Sequence, residues 1–447
     1  MRRPESVGPE LGEVTTFRSA LGLVVEEASA RNSETLESKM PISIGGEAVT
    51  KAYRRGTHRT LSPDETIARM RPLLSTFGVT RVANLTGLDR TGVPVVMVCR
   101  PDSKSSAVFH GKGLDLSAAK ASGIMEAIET WHAERLQLPL RLESLSELAR
   151  TCHVARAHEL PLTAGSRFND DLPILWVEGD DLIGGGRKWV PHELVHMNAT
   201  LADAPGAGCF AASTNGLASG NHLLEATSHA LCEVIERDAT TLWRRRVVRD
   251  RIRLDMATVG DESCRSVLDL LDRAKLDVAV WDVTTDVGVP AFQCLVSDRT
   301  GEVRHIGQGS GCHPAAEVAL LRALTEAVQV RTTYIVGSRE DIRHADYHPA
   351  TLDERNRSAR FLMQPADAIR SFDSIPSFDF QDLQSEVAWI TERLRSAGIE
   401  EAVAVDLTRP EFAVAVVRVV VPGLEGSDHL PDYSPGARAL AVERGTK

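Results

Sequence analysis

Three stretches of this chain repeat one pattern, and each repetition places acid on an otherwise apolar helix. A glycine-containing loop is followed by alanine, then glutamate seven residues on, then Glu or Gln three further. The copies are Gly113, Ala119, Glu126 and Glu129; Gly220, Ala226, Glu233 and Glu236; and Gly311, Ala319, Glu326 and Gln329. Ile124, Ile128 and Trp131 line one side of the first stretch at helical spacing, and Leu224, Leu231 and Ile235 one side of the second. A lone E-x-x-E is ordinarily a solvated helix face. On helices such as these the glutamates stand close to the buried side, where an unpaired carboxylate is costly.

Ser122, Glu126 and Glu129 share one face of the first helix. On the second, Glu225, His229, Glu233 and Glu236 share a face, with Arg237 beside them and Asn221 one turn before Glu225. Like charges at this spacing call for a cation or a retained proton. Carboxylates with an amide, and no clustered Cys or His, favour the hard ion Mg²⁺, which takes one or two carboxylates plus phosphate oxygens. The third helix offers Arg322 and Glu326 one turn apart. The plain reading is a surface ion pair of little worth. The functional reading is an arginine held by Glu326 and aimed at phosphate. Arg237 and Arg322 would offset the charge that glutamates 126, 129, 225, 233 and 236 bring together with a nucleotide.

A second motif recurs as a strand ending in Asn/Asp-x-Thr, then another apolar strand. It appears at Asn84 and Thr86, at Asp282 and Thr284, and at Asp406 and Thr408. Such side chains suit a turn, and the β-branched runs around them suit strands. Together the two repeats predict an α+β domain, with mixed β-sheets and three carboxylate-bearing helices converging on one place. Residues 138–210 read as irregular strands and loops, with Gly184, Gly185 and Gly186 as a hairpin turn. Residues 335–380, with Pro349, Pro365 and Pro376, read as a long surface excursion. Leu383, Val387, Ile390 and Leu394 put an amphipathic helix over 382–397. The expected division is a poorly ordered extension over 1–45, one domain over 46–425 and a tail over 426–447.

Other classes find less support. A net charge of -11 opposes a general nucleic-acid or anionic-membrane surface. The seven cysteines form no CxxC pair and read as reduced thiols of a cytoplasmic protein. No secretory signal or membrane-length apolar run stands out. There is no P-loop; Gly111-Lys112-Gly113 is a fragment of one only. His192 and His196 lack an H-E-x-x-H setting and read as structural.

These residues resemble the YcaO family. The motifs are Ser122 with Glu126 and Glu129; the stretch Asn215-Gly216-Leu217-Ala218-Ser219-Gly220-Asn221 leading to Glu225, Glu233, Glu236 and Arg237; and Arg322 with Glu326 after Gly307-Gln308-Gly309-Ser310-Gly311. They fall in the family's order over about residues 50–425. The resemblance implies a YcaO-type fold and an ATP site unlike those of kinases or P-loop proteins. It implies Mg²⁺ held by Glu126, Glu129, Glu233 and Glu236, with Asn221 and Glu225 helping to hold metal and phosphate. Arg237 and Arg322 would contact phosphates, with Glu326 beside them. Arg59, Thr66 and Ser122 would contact the nucleoside.

The resemblance also implies the activity. Family members activate a peptide amide with ATP, by positioning and charge stabilisation rather than through an enzyme nucleophile. An azoline, thioamide or amidine results according to whether a side chain, sulfide or amine attacks. This chain ends Glu443-Arg444-Gly445-Thr446-Lys447 rather than in the Pro-rich tail of many azoline formers. Its stretch from Lys51 to Arg59, with Asn84 to Asp89, looks like members that work with a TfuA protein. The leading expectation is therefore thioamide formation in a peptide or protein substrate, with a TfuA-like partner, an external sulfur donor and a homodimeric enzyme. A cyclodehydratase or amidine former is the alternative within the family. A non-catalytic accessory protein is the alternative outside it.

Overall fold

The structure is a computed structural model. It describes residues 42, 47–201, 204–301, 305–365, 368–430 and 432–445. The expected extension over 1–45 lies outside the described residues except for Ile42. Among the described residues, no helix is long and apolar enough to cross a membrane.

Three β-β-β-α units organise the chain. In the first, β1 (Arg81–Asn84), β2 (Val95–Cys99) and β3 (Val108–Lys112) form an antiparallel sheet that feeds helix α2 (Leu116–Ala133). The short helix α1 (Pro63–Met70) packs on α2. Its start is local chemistry: Ser62 caps it in a reciprocal box with Glu65, and Pro63 suits its first turn. In another unit β9 (Leu276–Asp282), β10 (Ala291–Asp298) and β11 (Gly307–Cys312) lead into α5 (Ala316–Val336). The remaining unit is assembled from distant segments. Helix α3 (Leu223–Arg245) follows β7 (Leu217–Gly220), but β7 pairs with β14 (Ala415–Val420), which pairs with β13 (Val403–Asp406).

The recurring turns are alike in detail. Asn84, Asp282 and Asp406 each accept a bond from the backbone N–H of the Thr two residues on, at 3.1, 3.0 and 2.8 Å. The Thr hydroxyls in turn accept from Val95, Ala291 and Val416, at 3.2, 3.1 and 3.1 Å. Each turn thus fastens one strand of its unit to the next.

The sheets are extended from elsewhere in the chain. Strands β4 (Leu140–Glu143), β5 (Ile174–Asp181) and β6 (Arg187–Pro191) join β13, so the segment expected to be irregular supplies half of a six-stranded sheet. The Gly184–Gly186 turn does close the β5–β6 hairpin. Strands β8 (Arg253–Asp255) and β12 (Ile369–Ser371) extend the β9 sheet, and helix α4 (Glu262–Arg273) packs between β9 and α5. The excursion over 335–380 holds a helix, α6 (Pro349–Leu362). Pro349 starts it rather than breaking it, because proline at the first position forfeits no helical bond. The amphipathic helix α7 (Leu383–Ser396) buries Leu383, Val387, Ile390 and Leu394 against α3, as their spacing requires.

Beyond residue 425 the chain docks on α3 and ends in α8 (Ala437–Glu443). Arg438 makes two bonds of 2.9 Å to the fully buried Asp238, and Glu425 accepts from Tyr433 and from the amides of Gly436 and Ala439.

Candidate active site

Glycines let each strand lie against its helix. A Cβ on Gly111 would fall 2.0 Å from the Ala119 carbonyl oxygen, and one on Gly311 2.0 Å from that of Ala319. The polar side chains of the same strands reach across to another unit. Ser219 on β7 donates to Glu129 on α2 at 3.1 Å. Ser310 on β11 donates to Glu236 on α3 at 2.6 Å. Lys112 on β3 donates to Glu326 on α5 at 2.9 Å. The three bonds close a ring, strand to helix, around the meeting point of α2, α3 and α5.

The ring does not satisfy its acids equally. Burial pushes Glu126 up to about 7, with Lys112 and Arg339 opposing and the neighbouring Glu233 and Glu326 adding to the rise. Burial, Glu233 and Glu126 hold Glu129 well above the usual carboxylate range, and the Ser219 bond does not cancel them. Glu233 is raised by burial and by Glu236, against the pull of Arg237, Arg418 and Arg322. Burial also raises Glu326, but Lys112 and Arg237 outweigh it and the group is lowered. Arg237 lies 3.6 Å from Glu233 and 4.0 Å from Glu236. Ser122 is half-buried on α2, one turn before Glu126.

Glu225, at the other end of the α3 face, is satisfied. One oxygen accepts the Thr60 amide at 2.7 Å and its hydroxyl at 2.8 Å. The other accepts the Asn221 backbone and side-chain amides at 3.1 and 3.4 Å, with Arg59 at 3.7 Å. Asn221 also bonds to the Thr66 hydroxyl at 3.1 Å. Arg59, Thr66, Asn221 and Glu225 are therefore brought together, as grouped from the sequence. The protein itself engages the Glu225 lone pairs, which sets this residue apart from the metal-ligand candidates with which it was grouped.

One expected contact is corrected. Glu326 does not hold Arg322. Lys112 and the Ser310 amide take Glu326, while Arg322 bonds to His229 Nε2 and to the Cys312 carbonyl at 3.4 Å. Both partners lie on neighbouring elements, which spacing along one helix does not reveal. An arginine only donates, so His229 accepts at Nε2 and is neutral. Burial, Arg322 and Arg59 lower its affinity for a proton well below the usual. Lys112, Ser219, Ser310, Arg339 and the buried Arg418 are further members of this charge cluster. Lys112, Ser219 and Ser310 lie inside stretches already singled out for glycines, whereas Arg339 and Arg418 lie in stretches that carried no such signal.

A histidine cluster also stands where none was expected. His58, His313 and Glu386 offer ligand atoms within 4.8 Å of one another, the only such trio among the described residues. Their protons argue against a metal. His313 Nδ1 accepts from the Ala315 amide at 3.0 Å, so its proton sits on Nε2, facing Glu386. The Lys51 ammonium lies 2.7 Å from Glu386 and 3.3 Å from His58 Nδ1 and already supplies the positive charge. His192 and His196 stack at 4.5 Å away from the ring, and burial lowers both, to about 3 and about 4.

The residues fit a hard cation with polyphosphate. Glu126, Glu129, Glu233 and Glu236 are oxygen donors carrying more negative charge than their protein partners relieve. They do not close into a tight trio, which suits an ion that keeps water and shares phosphate oxygens. Arg237, Arg322 and Lys112 surround them as phosphate-compatible cations. Such a site defines a Mg²⁺-dependent, nucleotide-using protein.

The chain belongs to the YcaO family: the family model described as YcaO cyclodehydratase, ATP- and Mg²⁺-binding, matches residues 110–425. An uncharacterized protein in the tfuA 3′ region of Rhizobium leguminosarum bv. trifolii is 36% identical over 406 residues, 87% of this chain and 94% of that one. An uncharacterized protein of Methanothermobacter thermautotrophicus is 33% identical over 375 residues, 82% and 95% of the two chains. Among solved structures, the fold is similar to a heterocyclase in complex with substrate and cofactor (TM-score 0.72, 23% identity, 91% of this chain and 57% of that one). It is also similar to YcaO from Methanopyrus kandleri bound with AMPPCP and Mg²⁺ (TM-score 0.69, 24% identity, 87% and 99%). The chain is thus an ATP- and Mg²⁺-dependent enzyme of a family that modifies peptide backbones.

Proposed function

We propose that this enzyme activates a peptide-backbone amide for thioamide formation, acting with a TfuA-like partner and an external sulfur donor. The observation that carries the nucleotide part is the unequal ring: acids left short of positive charge where α2, α3 and α5 meet. The thioamide branch is supported by the 36% identity to the protein of the tfuA 3′ region.

In this reading Glu126, Glu129, Glu233 and Glu236 hold Mg²⁺. Glu225 keeps the 58–66 segment in place, so that Arg59, Thr66 and Asn221, with Ser122 across from them, receive the nucleoside. Neutral His229 orients Arg322, and Glu233 orients Arg237, toward the phosphates. Bound Mg²⁺-ATP would supply the phosphoryl group that makes the amide oxygen a leaving group. The residues contribute position and charge, which is most of what phosphoryl transfer needs.

Mass spectrometry of a candidate peptide after reaction with ATP, Mg²⁺ and sulfide tests the branch. Exchange of oxygen for sulfur adds about 16 Da, whereas cyclodehydration removes about 18 Da, by atom balance on the same activated amide. The family model's description as a cyclodehydratase keeps the second outcome as the alternative. An unchanged mass together with no ATP consumption would sink both.

A further inference from the structure

Lys112 differs from the other two donors of the ring. Ser219 and Ser310 are neutral; Lys112 brings a full charge. Its backbone leaves it little freedom. Gly111 and Gly113 press on α2, where a Cβ would fall 2.0 Å from the Ala119 oxygen and 2.5 Å from the Ala118 Cβ. Side chains alternate along a strand, so Lys112 points away from α2 and toward α5.

We propose that Lys112 is a catalytic cation that contacts the terminal phosphate of the bound nucleotide. The inference rests on the nucleotide reading above and goes beyond it. An ammonium has three N–H donors. Glu326 takes one at 2.9 Å, and 24% of the side chain is open to solvent. Lys51, by contrast, is fully enclosed between Glu386 and His58. The position of Lys112 selects the phosphate. Its partner Glu326 shares Ser310 with Glu236, and Glu126 is among the acids its charge reaches. This is the end of the site remote from Glu225. Eleven residues of α3 separate Glu225 from Glu236, a rise of about 16 Å. That is room for a nucleoside at one end and a terminal phosphate at the other.

Calorimetric binding of Mg²⁺-ATP and Mg²⁺-ADP to the full chain tests the proposal. In Lys112→Met, ATP affinity is expected to fall about 10- to 100-fold, as for a lost charge-assisted bond. ADP affinity is expected to stay within about twofold, since the contact is to a group ADP lacks. Lys112→Arg recovers most of the ATP affinity. Lys112→Gln keeps an N–H for Glu326 without the charge, and shows the same loss as Met. Lys104→Met, an exposed lysine outside the ring, controls for net charge. Equal weakening of ATP and ADP, or no change in either, overturns the role of Lys112 and leaves it a partner of Glu326 alone. If the unmodified protein binds neither nucleotide, the broader reading falls with it, so the two failures are told apart.

Discussion

Glu225 and Glu129 sit on facing helices of one site and differ in how the protein treats them. Glu225 is buried and receives bonds from Thr60 and Asn221 on both oxygens. Glu129 is half-buried and receives one from Ser219, and neighbouring acids raise its proton affinity. The carboxylate of Glu126 accepts no hydrogen bond from the described residues. A fully bonded acid holds the fold, and an acid left short is held ready for a cation that the chain does not supply. In the proposed reading the contrast divides the site into a structural end and a metal end, and it makes opposite predictions for the same kind of substitution.

The largest effect should fall on the structural end. Glu225→Ala strands the half-buried Thr60 amide and hydroxyl, the Asn221 amide and Arg59. Stability to urea should drop by about 2–3 kcal/mol, since several bonds to one buried carboxylate are lost while their half-buried donors partly regain water. A loss below about 1 kcal/mol would show that these bonds do not hold the 58–66 segment.

At the metal end, removing charge should cost binding and spare stability. Glu233→Gln is expected to weaken Mg²⁺-ATP about 100-fold in calorimetry. Without Mg²⁺ its melting temperature should hold or rise, because one repelling charge is gone from among Glu126, Glu129 and Glu236. A marked drop in melting temperature with unchanged binding would reverse the assignment of the two ends.

The Lys51–His58–His313–Glu386 cluster belongs with the satisfied regions and adds a pH signature. Burial, with His313, Lys51 and Arg54, lowers His58 to about 3, against 6.5 for an ordinary imidazole; Glu386 opposes them. The unfolded chain therefore binds this proton more readily. Stability from His58 is full above pH 6.5 and is lost as pH falls toward 3. Urea stability should decline by about 2 kcal/mol from pH 6.5 to 5 through this group, less so in His58→Gln. A His313 proton affinity lowered in the same direction deepens the acid loss that remains in the variant.

Much of the cluster of acids was legible in the sequence, because they sit at helical spacing beside apolar residues. The three helices, their Glu and Arg positions and the three Asx-Thr turns all follow from local pattern. What was not legible depends on contacts between units. Glu326 was paired with Arg322 because one turn separates them, yet Lys112, distant in sequence, takes it. The His58–His313 contact joins residues far apart in the chain. Strand β7 finds its neighbour in β14, almost two hundred residues on, and no local periodicity could announce that pairing. Pro349 differs in kind: it was read as part of a surface excursion over 335–380, yet it opens α6.

The smallest effect should come from the turns, which are satisfied and distant in role from the acids. Thr284→Val keeps the side-chain shape and removes the hydroxyl that accepts the Ala291 amide at 3.1 Å. The Thr284 amide bond to Asp282 survives, because it uses the backbone. One buried amide is left without its protein partner, so the cost should be about 1 kcal/mol in urea unfolding. The same substitution at Thr86 or Thr408 removes the same bond from the other two units and should cost about as much. Nucleotide binding should not change in any of the three, since each turn fastens strand to strand and touches no acid of the ring. If one of the three instead weakened Mg²⁺-ATP as Glu233→Gln does, the units would not be equivalent frames. The division between satisfied and waiting groups would then have to be drawn through that unit rather than between the two ends of the site.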